Sequence, residues 1–325
     1  MSVMKAIVID APGGPEALHF RDVPVPEPAA GQALVRLEAS GINFIDVYFR
    51  KGTYKAAYPL ILGQEGAGTV ESVGAGVTAV APGDRVAYAG VPGSYAEYAS
   101  VPVELLVPVP DGVSLRDAAA LMLQGMTAHY LVNSTFPLAK GHVALVQAGA
   151  GGVGLLLTQL AKGKGATVIT TVSTAEKAGL SKRAGADHVI DYTQEDFAAA
   201  ARRITGGIGV HVVYDSVGLT TWEKSLDALR PRGYFVLFGA SSGPVPAFDL
   251  QLLNSKGSLF ATRPSLAAYV ATPQERKWRA SELFEAVLDG TLALRVEHTY
   301  PLADAARAHT DLEARRTTGK LLLLP

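Results

Sequence analysis

The sequence predicts an α/β protein in two parts: a doubly wound parallel sheet, and a β-rich part that the chain leaves and later re-enters. Three observations carry that expectation. Up to about residue 115 short valine-rich runs alternate with turn signals; from residue 142 apolar strands alternate with helical patterns; and between them alanine, leucine and methionine recur at helical spacing. A chain of 325 residues is long enough for two domains and a sizeable core.

In the first part Lys5 to Ile9, Gln32 to Ala39, Gly68 to Val73 and Arg85 to Ala89 read as strands, punctuated by Pro12-Gly13-Gly14-Pro15, Val23 to Pro28 and Pro82-Gly83-Asp84. Arg116 to Leu131 reads as a helix with Ser114 placed to cap it. Parallel strands are expected at His142 to Gln147, Thr167 to Val172, His188 to Asp191, His211 to Asp215, Tyr234 to Gly239 and Ser258 to Thr262, with helices between several of them. Helices near Lys277 to Leu288 and Leu302 to Arg315 and a strand at Gly319 to Leu324 then return the chain to the first part. The expected division is 1–117 with 267–325, and 118–266.

Composition narrows the function classes. Apolar residues make up 48% and charged residues 18%, as in a globular protein, and no apolar run reaches membrane-spanning length. The start MSVMKAIVIDAPGG does not read as a secretory signal, so the cytoplasm is the expected location. Twenty-nine basic side chains against 30 acidic ones give no field for nucleic acid or an anionic membrane. The absence of cysteine removes disulfides, thiolate nucleophiles and cysteine-bound zinc, and the seven histidines form no HExxH, so no metal site is expected.

Gly149-Ala150-Gly151-Gly152-Val153-Gly154 fits GxGxxG between the apolar run HVALVQ and a helix expected from Val153 to Lys162. In that context the glycines permit a tight turn, backbone approach to a pyrophosphate and close helix packing, and the helix N-terminus favours an anion. The pattern predicts a dinucleotide site. An acid at the end of the second strand would bind an adenosine ribose 2′-OH, but that strand ends in Thr171-Val172-Ser173-Thr174, with Lys177 following. Hydroxyls and a lysine suit a 2′-phosphate, so NADPH is expected. Glu176 is the competing ribose ligand, and Ser173 to Glu176 fits a capping box that would give it a structural role instead. Tyr192, after the third strand, is placed to stack on adenine or to bond the phosphate.

A serine hydrolase is the rival from another class. Gly239-Ala240-Ser241-Ser242-Gly243 satisfies GxSxG, with Asp249 and then His298 or His309 downstream. A nucleophile elbow requires a helix directly after the serine, whereas Pro244-Val245-Pro246 favours an extended segment, which argues against it.

The chain resembles, end to end, the zinc-free quinone oxidoreductases of the medium-chain dehydrogenase/reductase superfamily, the group that includes zeta-crystallin. The residues that carry the resemblance are Gly41 to Tyr48 (GINFIDVY), Gly52-Thr53-Tyr54, Gly63 to Gly68 (GQEGAG), Val73-Gly74, Gly83 to Val86 (GDRV), the glycine turn, Tyr214 to Gly218 (YDSVG) and Thr262 to Ser265 (TRPS). It implies a GroES-like catalytic domain and a Rossmann domain around a cleft, hydride transfer from NADPH to a quinone, and a homodimer formed through the Rossmann domain, for which Ser258 to Thr262 offers a sheet edge. In the superfamily's zinc alcohol dehydrogenases the segments matching Asn43 and Gln64 carry a zinc-binding cysteine and histidine, both absent here.

By the same resemblance Asn43, Tyr48, Tyr54 and Gln64 line the nicotinamide end with Arg263 nearby, and Asn43, Tyr48 and Tyr54 position the quinone or donate to it. Cofactor contacts carry over to Asn43, Thr127, Tyr130, Gly151, Gly152, Val153, Ser173, Thr174, Lys177 and Tyr192, and further to Ser216, Phe238, Gly239, Ser241, Arg263 and Lys320. Gln124 departs from relatives with another residue there and is left unassigned. Asp46 is expected to be a structural partner rather than a general base, because nothing near it in sequence would raise its pKa. The resemblance leaves open an NADPH-dependent enone or enal reductase, and a non-catalytic crystallin-like RNA binder to which the balanced charge lends no support.

Overall fold

A computed structural model describes residues 2–325. The chain forms two compact units, one running up to Met126 and resuming over Tyr269–Pro325, the other Thr127–Ala268. The first unit opens with β1 (Val3–Ile9), β2 (His19–Pro24), β3 (Gln32–Ile42), helix α1 (Phe44–Arg50), β4 (Leu60–Ile61), β5 (Glu65–Val73), β6 (Arg85–Ala89), β7 (Tyr98–Pro102) and β8 (Val107–Pro108). Helix α2 (Leu115–Tyr130) follows, with Ser114 Oγ accepting the Asp117 N–H at 3.0 Å as its cap.

The second unit alternates strand and helix: β9 (Val143–Val146), α3 (Gly152–Gly163), β10 (Thr167–Val172), α4 (Ala175–Arg183), β11 (His188–Asp191), α5 (Phe197–Ile204), β12 (Val210–Asp215), α6 (Trp222–Asp227), β13 (Leu229–Leu237), α7 (Gln251–Ser255), β14 (Phe260–Thr262) and α8 (Leu266–Tyr269). The chain then adds α9 (Pro273–Leu288), β15 (Val296–Pro301), α10 (Ala305–Glu313) and β16 (Lys320–Leu324) to the first unit.

The second unit is a six-stranded, all-parallel sheet in the order β11-β10-β9-β12-β13-β14. β9 begins the unit and lies at its centre, so the strand order reverses there; ligands of open α/β sheets bind at such a point, beyond the strands' C-terminal ends. Phe197 of α5 and Trp222 of α6 join Leu145, Ile169 and Phe235 in one core, while Leu155 of α3 and Leu180 of α4 join Val172 in another. Helices therefore wind on both faces, as the alternating pattern predicts.

The first unit holds a seven-stranded sheet, β15-β16-β3-β5-β6-β8 with β7 also on β3, and a three-stranded sheet, β2-β1-β4. Val35, Val70, Val86, Tyr88 and Val101 fill the core between strands of the larger sheet. The first unit ends at Met126 rather than at the expected residue 117. Polar contacts explain the difference: the Leu123 N–H and the Gln124 side chain, in the third turn of α2, bond to Glu65 and Asn43 and tie the helix that far to the β-rich unit.

Candidate active site

In the second unit the glycine turn is shaped by what a side chain would strike. Ala148 takes a left-handed φ of 55° as the chain leaves β9, and its carbonyl accepts the Gly151 N–H at 2.9 Å. A Cβ on Gly154 would lie 2.3 Å from the Ala148 oxygen, and one on Gly149 would lie 2.5 Å from Thr170 Cβ, so both positions require glycine. Gly151 is the N-cap of α3 with no side chain bonded to the first turn, leaving its backbone N–H groups for an anion. Gly151, Gly152 and Val153 thus form the opening of α3, the place at which the glycine motif leads one to expect a pyrophosphate.

At the end of β10 the cap differs from the expected one. Thr174, not Ser173, is the N-cap of α4, and its Oγ1 accepts the Lys177 N–H at 3.2 Å. The box proposed between Ser173 and Glu176 does not form, because the helix starts one residue later and Lys177 takes the N3 position. Glu176 is exposed, and the structural role that would have discounted it as a ribose ligand is gone. Tyr192 follows β11 with its N–H on the Val172 carbonyl at 3.1 Å, which sets its half-exposed ring beside the same strand ends.

The loops after β12 and β13 are laced together. The buried Asp215 carboxylate accepts from the Val217 N–H at 2.8 Å, the Gly218 N–H at 3.0 Å, and the Thr221 and Ser225 hydroxyls at 2.8 Å. The Phe238 N–H bonds the Asp215 carbonyl, the Ser241 N–H bonds the Ser216 carbonyl, and a Cβ on Gly239 would meet that carbonyl at 2.7 Å. Ser216, Phe238, Gly239 and Ser241 therefore converge, with Arg263 directly after β14 donating to the Pro264 carbonyl at 3.0 Å. Thr127 and Tyr130 lie on α2, and Tyr130 is fully buried, so it offers little surface for the carried-over cofactor contact.

This loop also answers the hydrolase reading. No helix follows Ser241; the chain runs without regular structure to α7, and the Asp249 carboxylate accepts the Gln251 N–H at 2.8 Å in the turn that leads into that helix. His309 has both ring nitrogens engaged elsewhere.

In the first unit, sheet register assembles the polar residues. Antiparallel β3 and β16 pair Ile42 with Leu321, and β3 and β5 pair Ser40 with Gly66, which brings Lys320 beside Asn43 and Glu65 beside Gly41. A Cβ on Gly41 would overlap the Glu65 carboxylate and the Lys320 ammonium, so the glycine is what lets the two meet. Lys320 Nζ pairs with Glu65 Oε2 and donates to Asn43 Oδ1 at 2.9 Å. Asn43 Nδ2 donates to Glu65 Oε2 at 2.8 Å and to the Gly41 carbonyl at 3.3 Å, and Gln124 Nε2 donates to Asn43 Oδ1 at 3.1 Å. Glu65 Oε1 accepts the Leu123 N–H at 2.6 Å.

Glu65, Lys320 and Asn43 are all buried, and ionic partners in such a place are tolerable only when every group is bonded, as here. Both amide hydrogens of Asn43 are occupied, which corrects its expected role as a donor to a quinone. Lys320, carried over as a cofactor contact, has its ammonium in this ion pair. Gln64 is buried next to Glu65, with its carbonyl accepting the Gly90 N–H at 2.7 Å.

Asn43 also caps α1, whose next turn carries Tyr48. The half-buried rings of Tyr48 and Tyr54 lie 5.3 Å apart, tied by the Tyr54 N–H on the Tyr48 carbonyl, and Phe49 meets Tyr54 edge-on. Asp46 Oδ2 accepts the Asn43 N–H at 2.8 Å and the Tyr95 hydroxyl at 3.0 Å. Burial pushes the Asp46 carboxyl up to about 7 against the pull of those two donors and Lys320. The expectation of an unraised pKa thus fails, because tertiary burial and not a sequence neighbour sets it. Asp46, Glu65, Tyr95 and Gln124 are the residues that sequence reasoning left without a site role, and His309 enters it only as a candidate hydrolase base.

Among the described residues no group of three or more histidines and carboxylates converges as a metal site, and no helix is long and apolar enough to cross a membrane.

Residues 29–111 match the alcohol dehydrogenase GroES-like domain family, and residues 152–275 match the zinc-binding dehydrogenase family. The chain is 48% identical to a quinone oxidoreductase of Pseudomonas aeruginosa, with 99% of each chain covered, and 42% identical to a 2-haloacrylate reductase of a Burkholderia species, again covering 99% of each. A mycobacterial protein solved in complex with NADPH is 52% identical and superposes with a TM-score of 0.97 over 99% of this chain and 100% of that one. The chain carries amides, Asn43 and Gln64, at the two positions where the resemblance implies a cysteine and a histidine in the superfamily's zinc enzymes. It belongs to the zinc-free quinone oxidoreductases of the medium-chain dehydrogenase/reductase superfamily.

Proposed function

We propose that this protein is an NADPH-dependent quinone reductase that needs no zinc. The observation that carries the reading is the Asn43 cluster: an amide is locked between an ammonium and a carboxylate, at the position where the resemblance implies a zinc ligand in the alcohol dehydrogenases. The acceptor oxygen then depends on hydrogen-bond donors, which suffices for quinones because they are already good electron acceptors.

NADPH, when bound, supplies the hydride. Gly151, Gly152 and Val153 would hold its pyrophosphate at the start of α3, Ser173, Thr174 and Lys177 its 2′-phosphate, and Tyr192 its adenine. Ser216, Phe238, Gly239, Ser241 and Arg263 would hold the nicotinamide half. The preference for NADPH rests on Lys177, the adjacent hydroxyls and the relative solved with that cofactor. Tyr48 and Tyr54 donate to the quinone oxygens, while Asn43 orients α1.

A steady-state panel of quinones and enones with NADPH tests this reading: quinones should give the higher kcat/KM, and the reverse ranking overturns it. A second reading, hydride addition to the carbon β to a carbonyl, is favoured by the 2-haloacrylate reductase relative and is what that reverse ranking would establish.

The proposal includes a homodimer in the cytoplasm. β14 is an edge strand whose Phe260 is 50% exposed and stacks on Tyr234 at 4.6 Å, an apolar edge that pairing with a second copy would cover. Light scattering at the monomer mass, or recovery of the protein with the membrane fraction, contradicts that part.

A further inference from the structure

A buried chain of side chains runs through the first unit behind Asp46. Tyr95 Oη lies 3.0 Å from Asp46 Oδ2 and 3.1 Å from His309 Nε2, and His309 Nδ1 lies 2.9 Å from Arg50 Nη1. All four side chains are fully buried. Arginine has only donors, so His309 Nδ1 accepts and its single proton sits on Nε2. That proton can only be given to Tyr95 Oη, which leaves the Tyr95 hydrogen for Asp46. Every bond in the chain therefore has one direction, from Arg50 through His309 and Tyr95 to Asp46.

The outer end is fixed as firmly. Arg50 donates to the Gly13 carbonyl at 3.2 Å and to Glu313 Oε2 at 2.6 Å, and Glu313 also pairs with the exposed Lys51 at 2.5 Å. Asp46 and Arg50 stand at opposite ends of α1, while His309 and Glu313 both belong to α10, so the chain fastens α1 to α10 at two points. Burial with the neighbouring Arg50 charge holds the His309 pKa down at about 3, which keeps the ring neutral and the direction unchanged at ordinary pH.

Resting on the reading of the protein as a quinone reductase, we propose that Tyr95, His309 and Arg50 are positioning residues that act through Asp46, whose carboxylate holds the Asn43 N–H and so sets the turn of α1 that presents Tyr48. Asp46 Oδ2 accepts two donors, whereas Oδ1 is buried with no partner. Ionised Asp46 satisfies both donors best. Its protonation adds a hydrogen that finds no acceptor on Oδ1 and weakens the grip on Asn43. The charged or titratable groups that face Asp46 are Tyr95, Lys320 of β16 and Glu65 of β5, with His309 and Arg50 behind Tyr95.

Tyr95→Phe tests this, because it deletes the shared hydroxyl and keeps the ring in its core. Quinone reduction is followed from pH 5.5 to 9 in the wild type, Tyr95→Phe, Asp46→Asn and the double variant, with melting temperatures measured in parallel. The expected result is an unchanged KM for NADPH, a kcat about tenfold lower, and an acid limb shifted about one pH unit upward because the ionised carboxylate has lost a donor. The double variant should be no slower than Asp46→Asn. A Tyr95→Phe profile that overlays the wild type, or losses that multiply in the double variant, overturns the proposal.

A carbon-13 NMR titration of the Asp46 carboxyl separates this inference from the proposed function. If the wild type reduces no quinone, the proposed function fails, and the titration decides the chain alone: an upward shift in Tyr95→Phe supports it, and an unmoved titration overturns it.

Discussion

The two units build their candidate binding residues in opposite ways. In the second, the proposed pyrophosphate cradle is six consecutive residues, Gly149 to Gly154, that act through their backbone, with Gly149 and Gly154 dictated by close approach to Thr170 and Ala148. In the first, Asn43 meets Glu65, Gln124 and Lys320 across separations of 22, 81 and 277 residues, and only side chains touch. A site made of backbone is local and leaves a motif. A site made of side chains depends on sheet register, so its separate pieces can be read from the sequence but not their pairing.

The most severe test of that contrast is Gly154→Val. Its Cβ would sit 2.3 Å from a backbone oxygen that cannot yield, so NADPH binding by isothermal titration should fall below detection. Retained binding would mean that the cradle is not built by that close approach.

Lys320→Met addresses the other unit. It strands a buried carboxylate, so urea unfolding should show a loss of about 3–5 kcal/mol, and adding Glu65→Leu should recover much of it because the charge leaves with its partner. A single variant as stable as the wild type would show that the ion pair does not hold Asn43.

A smaller effect is expected at Lys177→Ala, which should raise KM for NADPH about tenfold, near 1.4 kcal/mol, and leave KM for NADH alone. An equal rise for both cofactors would remove the 2′-phosphate role.

The mildest effect is in the pH dependence of stability. Asp46, raised to about 7 from 3.8, favours the folded state below pH 3.8 and loses that contribution as pH climbs to 7. His309, lowered to about 3 from 6.5, contributes fully above pH 6.5 and loses its contribution as pH falls toward 3. The slopes oppose each other between about pH 4 and 6.5. Asp46→Asn removes the falling slope, so its melting temperature should climb more steeply with pH over that window, by at most about 1.4 kcal/mol per unit. Parallel curves for the two proteins would place the Asp46 pKa near its ordinary value.

The same contrast explains what the sequence made legible. β6, β10 and β11 fall on their expected residues because each is a compact β-rich run bounded by turn or helix signals. β2 was hidden: it is an exposed edge strand pairing only with β1, and His19 to Pro24 has no apolar alternation to reveal it. The α4 cap moved by one residue because Ser173 and Thr174 are chemically equivalent choices and only backbone geometry separates them. Asn43 was legible as a site residue through the family resemblance, but its partners were not. Neither the Glu65 ion pair nor the Tyr95 and His309 chain has a sequence signal, since both form only when β3, β5, β16 and α10 have packed. His309, noticed only as a possible hydrolase base, is a neutral link in the core.

In the proposed reaction NADPH reduces a quinone without metal. Steady-state quinone reduction by chelator-dialysed protein, with NADPH and NADH compared, tests it most directly. Full activity after dialysis and a clear preference for NADPH are expected; activity that disappears with the chelator and returns with zinc, or a preference for NADH, would refute metal-free reduction by NADPH.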